Sequence, residues 1–311
     1  MALQEIVMTA PAFTMNVCAH WVAMDKGFFQ EEGIKVNFVF TDIPFHMSTG
    51  WETKFPNQPV FQAPGGSPPF NTHREGKTQL TNVISIQDHP GHHLLSRPGI
   101  TEGAGLKGKK LIASLRGASY IDARIALRHY GVDPDKDVVW TASEEVPPDT
   151  ERSRIDALAR GEVDGVSAGP PHWVMAIKMG CTKLISARDL VQWPDDGLVT
   201  TRDVIEKHPD VCKAVVRALM RGTEFVRMNK EETLDVFLRH NTFVDRDTAA
   251  ACYDVIHNDW CVCTDMSLYR KKIEYYCKEY GLEPKPFDSY YEMRFVREAL
   301  EELKLLRSWK D

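Results

Sequence analysis

The stretch Leu106–Arg124, LKGKKLIASLRGASYIDAR, decides the fold. Lys107 to Lys110 read as a basic surface turn, and Leu111-Ile112-Ala113 as a short apolar run fit for a buried strand. Arg116-Gly117-Ala118-Ser119 then turn the chain, and Ile121, Ala123, Ile125, Ala126 and Leu127 set a helical period. Gly117 permits a tight turn. Ser119 is either the N-cap or a hydroxyl offered beside free backbone N–H groups at the positive end of the helix dipole. A strand, a glycine turn and a helix start of this kind make a ready anion site.

Working outward, the helix runs through His129-Tyr130-Gly131. A strand at Asp137–Thr141, a helix near Arg154–Arg160 and a short strand leading into Gly169-Pro170-Pro171-His172-Trp173 follow. Lys183–Ile185 and Leu198–Thr200 read as strands around a return crossing. Upstream, Leu3–Met8, a helix from Val17 to Phe29 and the alternating Ile34–Phe40 form β-α-β, so these strands are expected to be parallel. Val60–Ala63 is a strand candidate whose following Gly65-Gly66-Ser67 can bring backbone N–H groups close to a ligand. Asn82–Gln87 is another strand, closed by a loop at Asp88–His93, and such folds place their sites in loops after parallel strands. From Val204 onward the pattern is helical, ending in Tyr291–Leu306 with Phe295, Val296, Leu300, Leu303 and Leu306 on one face.

The 311 residues suffice for two lobes, and a net charge of -6 argues against a general nucleic-acid binder. No apolar run reaches the roughly 18 residues of a membrane span. The start, MALQEIVM, enters a strand pattern without a basic region or signal core, and seven cysteines without framework spacing suit a reducing compartment. The expected location is cytoplasmic, with periplasmic as the alternative if a signal peptide has been removed.

The order of elements resembles the type II periplasmic solute-binding proteins, in the branch that binds sulfonates, nitrate and thiamine pyrimidine precursors. The residues that carry the resemblance are Val22–Phe29 followed by Glu32-Gly33-Ile34, then Leu106–Lys110 and Leu158–Gly165, then His208–Val211 and Val296–Leu300. It implies an α/β, two-lobe type II periplasmic-binding-protein-like fold with an interlobe cleft and a helical C-terminal region. Lobe 1 is expected at residues 1–98 and 198–311, and lobe 2 at 99–197. The implied partner is a small-molecule ligand, with an ABC importer if the protein is exported, no cofactor and no metal. The same architecture carries cytosolic enzymes, among them aromatic sulfinate desulfinases, dihydroxyphthalate decarboxylases and pyrimidine synthases. Asn57–Gly66 looks like the desulfinase segment, yet the arginine position is Ala63, the histidine position Thr53, and the nucleophilic cysteine falls near Phe13. The cysteine-rich CCCFC motif of the pyrimidine synthases is absent.

These residues and the resemblance together point to a small anionic, aromatic or heterocyclic ligand. Its acidic group is assigned to Gly117, Ala118, Ser119 and Tyr120, its ring to Phe13, Trp51 and Trp173, and further polar contacts to Gly65, Gly66, Ser67 and His89, while the resemblance implies that His172 lines the second lobe's wall. For each of these a structural role is the alternative: a helix cap for Ser119, core packing for the aromatics. The second functional reading is a cofactor-independent lyase of decarboxylase type in which His89 or His46 handles the proton. His89, His92 and His93 form the densest histidine cluster, but no carboxylate pair lies nearby in sequence. Cys18, near a helix start, is a nucleophile candidate. Cys261-x-Cys263, placed at the end of a helix over Thr248–Trp260, is expected to point its thiols apart as structural cysteines.

Overall fold

The structure, a computed structural model, describes residues 3–10, 14–40, 54–115, 117–142 and 151–303. The chain divides into two compact units, one of residues 1–88, 193–243 and 253–311, the other of residues 89–192 and 244–252. The first unit opens with β1 (Gln4–Ala10), α1 (Cys18–Asp25), α2 (Phe28–Glu31), β2 (Ile34–Phe40), β3 (Val60–Gln62), α3 (Pro68–Arg74) and β4 (Leu80–Ile84). In the second unit come β5 (His93–Ser96), β6 (Lys109–Ala113), α4 (Ala118–His129), β7 (Val138–Ala142), α5 (Glu151–Ala159), β8 (Gly165–Ala168), α6 (His172–Lys178) and β9 (Thr182–Ser186). The chain returns to the first unit through β10 (Leu198–Thr201), α7 (Arg202–Lys207), α8 (Pro209–Met228) and α9 (Lys230–His240). It ends with α10 (Arg246–Ile256), α11 (Met266–Tyr280) and α12 (Arg294–Leu303).

The two sheets share one pattern. In the first the order is β2-β1-β3-β10-β4, in the second β7-β6-β8-β5-β9. The first three strands of each are parallel, and the fourth is antiparallel to both of its neighbours. That fourth strand is the one by which the chain enters the unit after crossing over, β10 in the first and β5 in the second. The expected β-α-β start is present, with Gln4–Ala10 in parallel register with Ile34–Phe40.

β5 is where the sequence reading went astray. His93-Leu94-Leu95-Ser96 was placed in or after a loop, but all four residues are buried between β8 and β9. A four-residue strand covered on both faces shows no alternation, so nothing in its periodicity marks it. β5 belongs to the second sheet, and the chain passes between the compact units at 88/89 and 192/193 and again at 243/244 and 252/253.

In the second unit Leu94, Leu106, Leu111, Ala123, Ala126 and Leu127 pack as one cluster, which fixes α4 across the sheet. In the first, α8 crosses α1 closely at Gly222, where a Cβ would stand 2.4 Å from the Ala19 carbonyl oxygen. Only glycine permits that approach.

Candidate functional site

At one edge of the second sheet the parallel strands β6 and β8 end and the antiparallel β5 begins, with His93 opposite Ala168. The opening stretch delivers its turn here. Gly117, not Ser119, is the N-cap of α4. Ser119 lies inside the first turn, and its Oγ accepts a hydrogen bond from the Ser114 N–H at 3.2 Å and a longer one from Arg154 Nη1 at 3.4 Å. In that first turn the Tyr120 N–H donates to the Gly117 carbonyl at 3.3 Å, while the Ala118 and Ser119 N–H groups have no acceptor within the helix.

One helical turn beyond Ser119, on the same face, stands Asp122, fully buried. Its Oδ2 is 2.7 Å from His92 Nδ1. His92 Nε2 lies 3.6 Å from Glu151 Oε1, which also accepts from the Gly169 N–H at 3.2 Å. The other Glu151 oxygen is 2.8 Å from His172 Nδ1, and Arg154 Nη2 is 3.7 Å from Oε1. Four separate segments thus converge: the residue before β5, the first turn of α4, the first turn of α5 and the start of α6. All are buried or nearly so, Arg154 being 7% exposed.

Burial by itself favours the neutral form of each group, so ionised side chains persist here only because they pair. For His92 burial pulls the imidazole down, but hydrogen bonds to Asp122 and Glu151 outweigh it and push the ring up to about 10. For Glu151 burial raises the carboxyl, and hydrogen bonds to His172 and His92 with the Arg154 charge hold it well below the usual carboxylate range. His92 therefore keeps its proton at neutral pH. The cluster sets two cations, His92 and Arg154, against two carboxylates, Asp122 and Glu151, which suits holding protons in place better than passing one to and fro.

The corresponding edge of the first sheet is of a different kind. β1 ends at Thr9-Ala10 and β3 at Gln62, and the buried Thr9 Oγ1 and Asn16 Oδ1 have no hydrogen-bond partner among the described residues. Thr14 Oγ1 accepts from the Asn16 N–H at 3.4 Å. His20 is fully buried, and burial lowers it to about 4 against backbone hydrogen bonds at Gly197 and Val17. A buried ion pair closes this edge, Lys272 Nζ donating to Asp195 Oδ1 at 2.5 Å and to the Pro194 carbonyl at 2.7 Å.

The residues singled out in the sequence fall into three groups. Phe13, His46 and Trp51 lie outside the described residues. Gly117, Ala118, Ser119 and His172 meet at the second unit's edge. The rest have structural partners. Gly65 and Gly66 are packed against the unit's own chain, where a Cβ on Gly65 would lie 2.7 Å from Asn82 Nδ2 and one on Gly66 2.3 Å from Asp195 Oδ1. Ser67 is the buried residue that precedes α3. Tyr120 turns to the other face of α4, accepting from Arg124 Nη1 at 3.1 Å and meeting Trp140 edge-on. Trp173 is buried on His93 with ring centroids 4.4 Å apart, and Lys183 Nζ stands 5.1 Å from its ring. His89 is the first residue of the second unit, and from the histidine triplet it is His92 that joins the carboxylates. Cys18 is fully buried, and burial, with Asp25 nearby, drives its thiol far above the ordinary range, so it does not meet a ligand or reagent from outside as a thiolate.

His92 in this role, Asp122, Glu151 and Arg154 were missed. Asp122 carried a usable signal, an acid on the helix face formed by Ile121, Ala123, Ile125 and Ala126. Apart from Asp88, the sequence places no carboxylate beside the histidines, because Asp122 and Glu151 come from α4 and α5.

Residues 14–233 match the family model described as NMT1/THI5 like. No curated protein sequence matches the chain at a significant level. Among solved structures it is similar to the periplasmic nitrate-binding protein NrtA from Synechocystis PCC 6803, with 14% identity over 97% of this chain and 90% of that one and a TM-score of 0.77. It is similar to the periplasmic sulfonate-binding protein SsuA of Methylobacillus flagellatus KT, with 19% identity over 99% and 97% and a TM-score of 0.72. It is also similar to the desulfurization enzyme DSZB in complex with biphenyl-2-sulfinic acid, at 15% identity over 96% and 100% and a TM-score of 0.70. At these identities the likeness establishes the fold, the expected two-lobe α/β architecture of periplasmic binding proteins.

Proposed function

Because the chain belongs to the NMT1/THI5-like family, we propose that it is a solute-binding protein for a small anionic, aromatic or heterocyclic ligand. The second unit takes the acidic group at the first turn of α4 and at Arg154. The observation that carries this reading is a buried guanidinium 3.4 Å from Ser119 Oγ, beside a helix start whose Ala118 and Ser119 N–H groups lack helical acceptors. Arginine stays charged and its fork matches carboxylate, sulfonate and nitrate oxygens. Neighbours named for sulfonate and nitrate point to the same ligand class, and the one holding biphenyl-2-sulfinic acid combines an acidic group with rings.

An ABC transporter is the fitting partner, since the sulfonate-binding neighbour is named for one. Neighbours named as periplasmic favour the exported alternative over the cytoplasmic expectation. Among the described residues no helix is long and apolar enough to cross a membrane.

The lyase reading has one observation in its favour, His92 and His172 both set on Glu151. Against it, a histidine held near 10 is a weak proton shuttle at neutral pH. Calorimetric titration with benzoate, benzenesulfonate and nitrate tests the binding reading. Saturable binding of at least one, recovered unchanged, supports it. Release of carbon dioxide or sulfite from a bound ligand would move the assignment to the lyase.

A further inference from the structure

Cys261 and Cys263 do not sit on a helix. α10 ends at Ile256, and the chain after it runs extended beside the segment that follows β4. The Asp88 N–H donates to the Asp259 carbonyl at 3.1 Å, Cys261 N–H to Ile86 O at 3.0 Å and Cys263 N–H to Ser85 O at 3.2 Å, while Trp260 bridges Gln87. In extended backbone residues i and i+2 share a face. The two thiols accordingly come together, with their sulfurs 3.7 Å apart. Cys263 Sγ donates to the Gln87 carbonyl at 3.1 Å, so the proton between the sulfurs is supplied by Cys261.

The surroundings of the two thiols differ in a useful way. Cys261 is partly exposed, whereas Cys263 and the other five cysteines are buried. An attacking reagent reaches Cys261 first, and Cys263 waits within reach of the adduct. That is the division of labour between an attacking and a resolving cysteine.

We propose that Cys261 and Cys263 form a reversible dithiol–disulfide couple, oxidised by low-molecular-weight disulfides of the glutathione class. In the first step the Cys261 thiolate attacks one sulfur of glutathione disulfide. The S–S bond breaks, a mixed disulfide forms on Cys261, and the departing glutathione thiolate takes up the proton that Cys261 lost. In the second step Cys263 gives its proton to solvent and attacks the Cys261 sulfur, expelling the second glutathione, which is protonated in turn. The protein loses two electrons and two protons, and one glutathione disulfide becomes two glutathione thiols. Closing the bond requires the sulfurs to move from 3.7 Å to the disulfide length of about 2.05 Å. Oxidation also removes the thiol donor from the Gln87 carbonyl, in the segment leading to the crossing at 88/89. The site is independent of the ligand reading.

The test uses the full chain, incubated with glutathione disulfide, quenched in acid, alkylated and weighed intact before peptide mapping. The expected result is the loss of two hydrogens with no retained glutathione, a cross-link between 261 and 263, and full reversal by excess reduced glutathione. Cys263→Ser, checked for folding by circular dichroism, should stop at a stable glutathione adduct on Cys261. The proposal is overturned if the folded wild type still alkylates at both cysteines, if it retains the adduct, or if either cysteine pairs elsewhere in the chain.

Discussion

The two units are built on the same sheet pattern and differ at the edge where their parallel strands end. In the first, Gly65 and Gly66 press against Asn82 and Asp195, the Asp195–Lys272 pair is sealed within the unit, and the neutral Thr9 Oγ1 and Asn16 Oδ1 are buried without a partner among the described residues. In the second, charged and titratable side chains from four segments meet around Glu151. Topology alone therefore does not make a charge-selective site. The same strand ends can close on their own ion pair or gather a cluster with a helix start and an arginine, and the side chains decide which.

Substitutions at the two edges probe this contrast. The largest effect is expected from Lys272→Met, which strands the buried Asp195 carboxylate and should cost about 3–5 kcal/mol in denaturant unfolding. A loss below about 1 kcal/mol would show that the first unit's edge admits water. Glu151→Gln should cost less, about 3 kcal/mol, since Asp122 still pairs with His92.

The histidines respond to pH in opposite directions. His20, lowered to about 4 from an unfolded value of about 6.5, supports the fold above pH 6.5 and loses that contribution as pH falls toward 4. His93, also lowered by burial, adds to the same acid limb. His92, raised to about 10, stabilises fully below about pH 6.5 and loses its contribution as pH rises through 10. Melting temperature should therefore fall on both sides of neutrality, and His92→Gln should remove the alkaline dependence only. An unchanged alkaline limb in that variant would contradict the ion pairing assigned to His92. The smallest effect belongs to Ser119→Ala, about 1 kcal/mol of stability through the Ser114 N–H, with a modest loss of anion affinity.

How much of this was legible in the sequence depended on distance along the chain. Strand, turn and helix in Leu106–Arg124 were readable because their signals are local: an apolar triplet, a glycine and a helical period. β5 was not, since four residues covered on both faces carry no alternation. Of the two roles that the sequence leaves open for Ser119, the cap belongs to Gly117. Glu151 and Arg154 were hidden because their meaning comes from partners on other elements, and a lone Glu-Arg-Ser-Arg reads as a solvated helix start. The Cys261-x-Cys263 pair was misread through one wrong boundary, the end of α10, which turned a shared face into opposed ones.

The central claim is that the second unit holds the ligand's acidic group through Arg154. It is tested most directly by titrating wild type and Arg154→Gln with the tightest anion of the benzoate, benzenesulfonate and nitrate set, with circular dichroism confirming that the variant is folded. Loss of a charged hydrogen-bond pair worth about 1.5–3 kcal/mol predicts affinity at least tenfold weaker. Equal affinity in a folded Arg154→Gln protein would contradict the assignment.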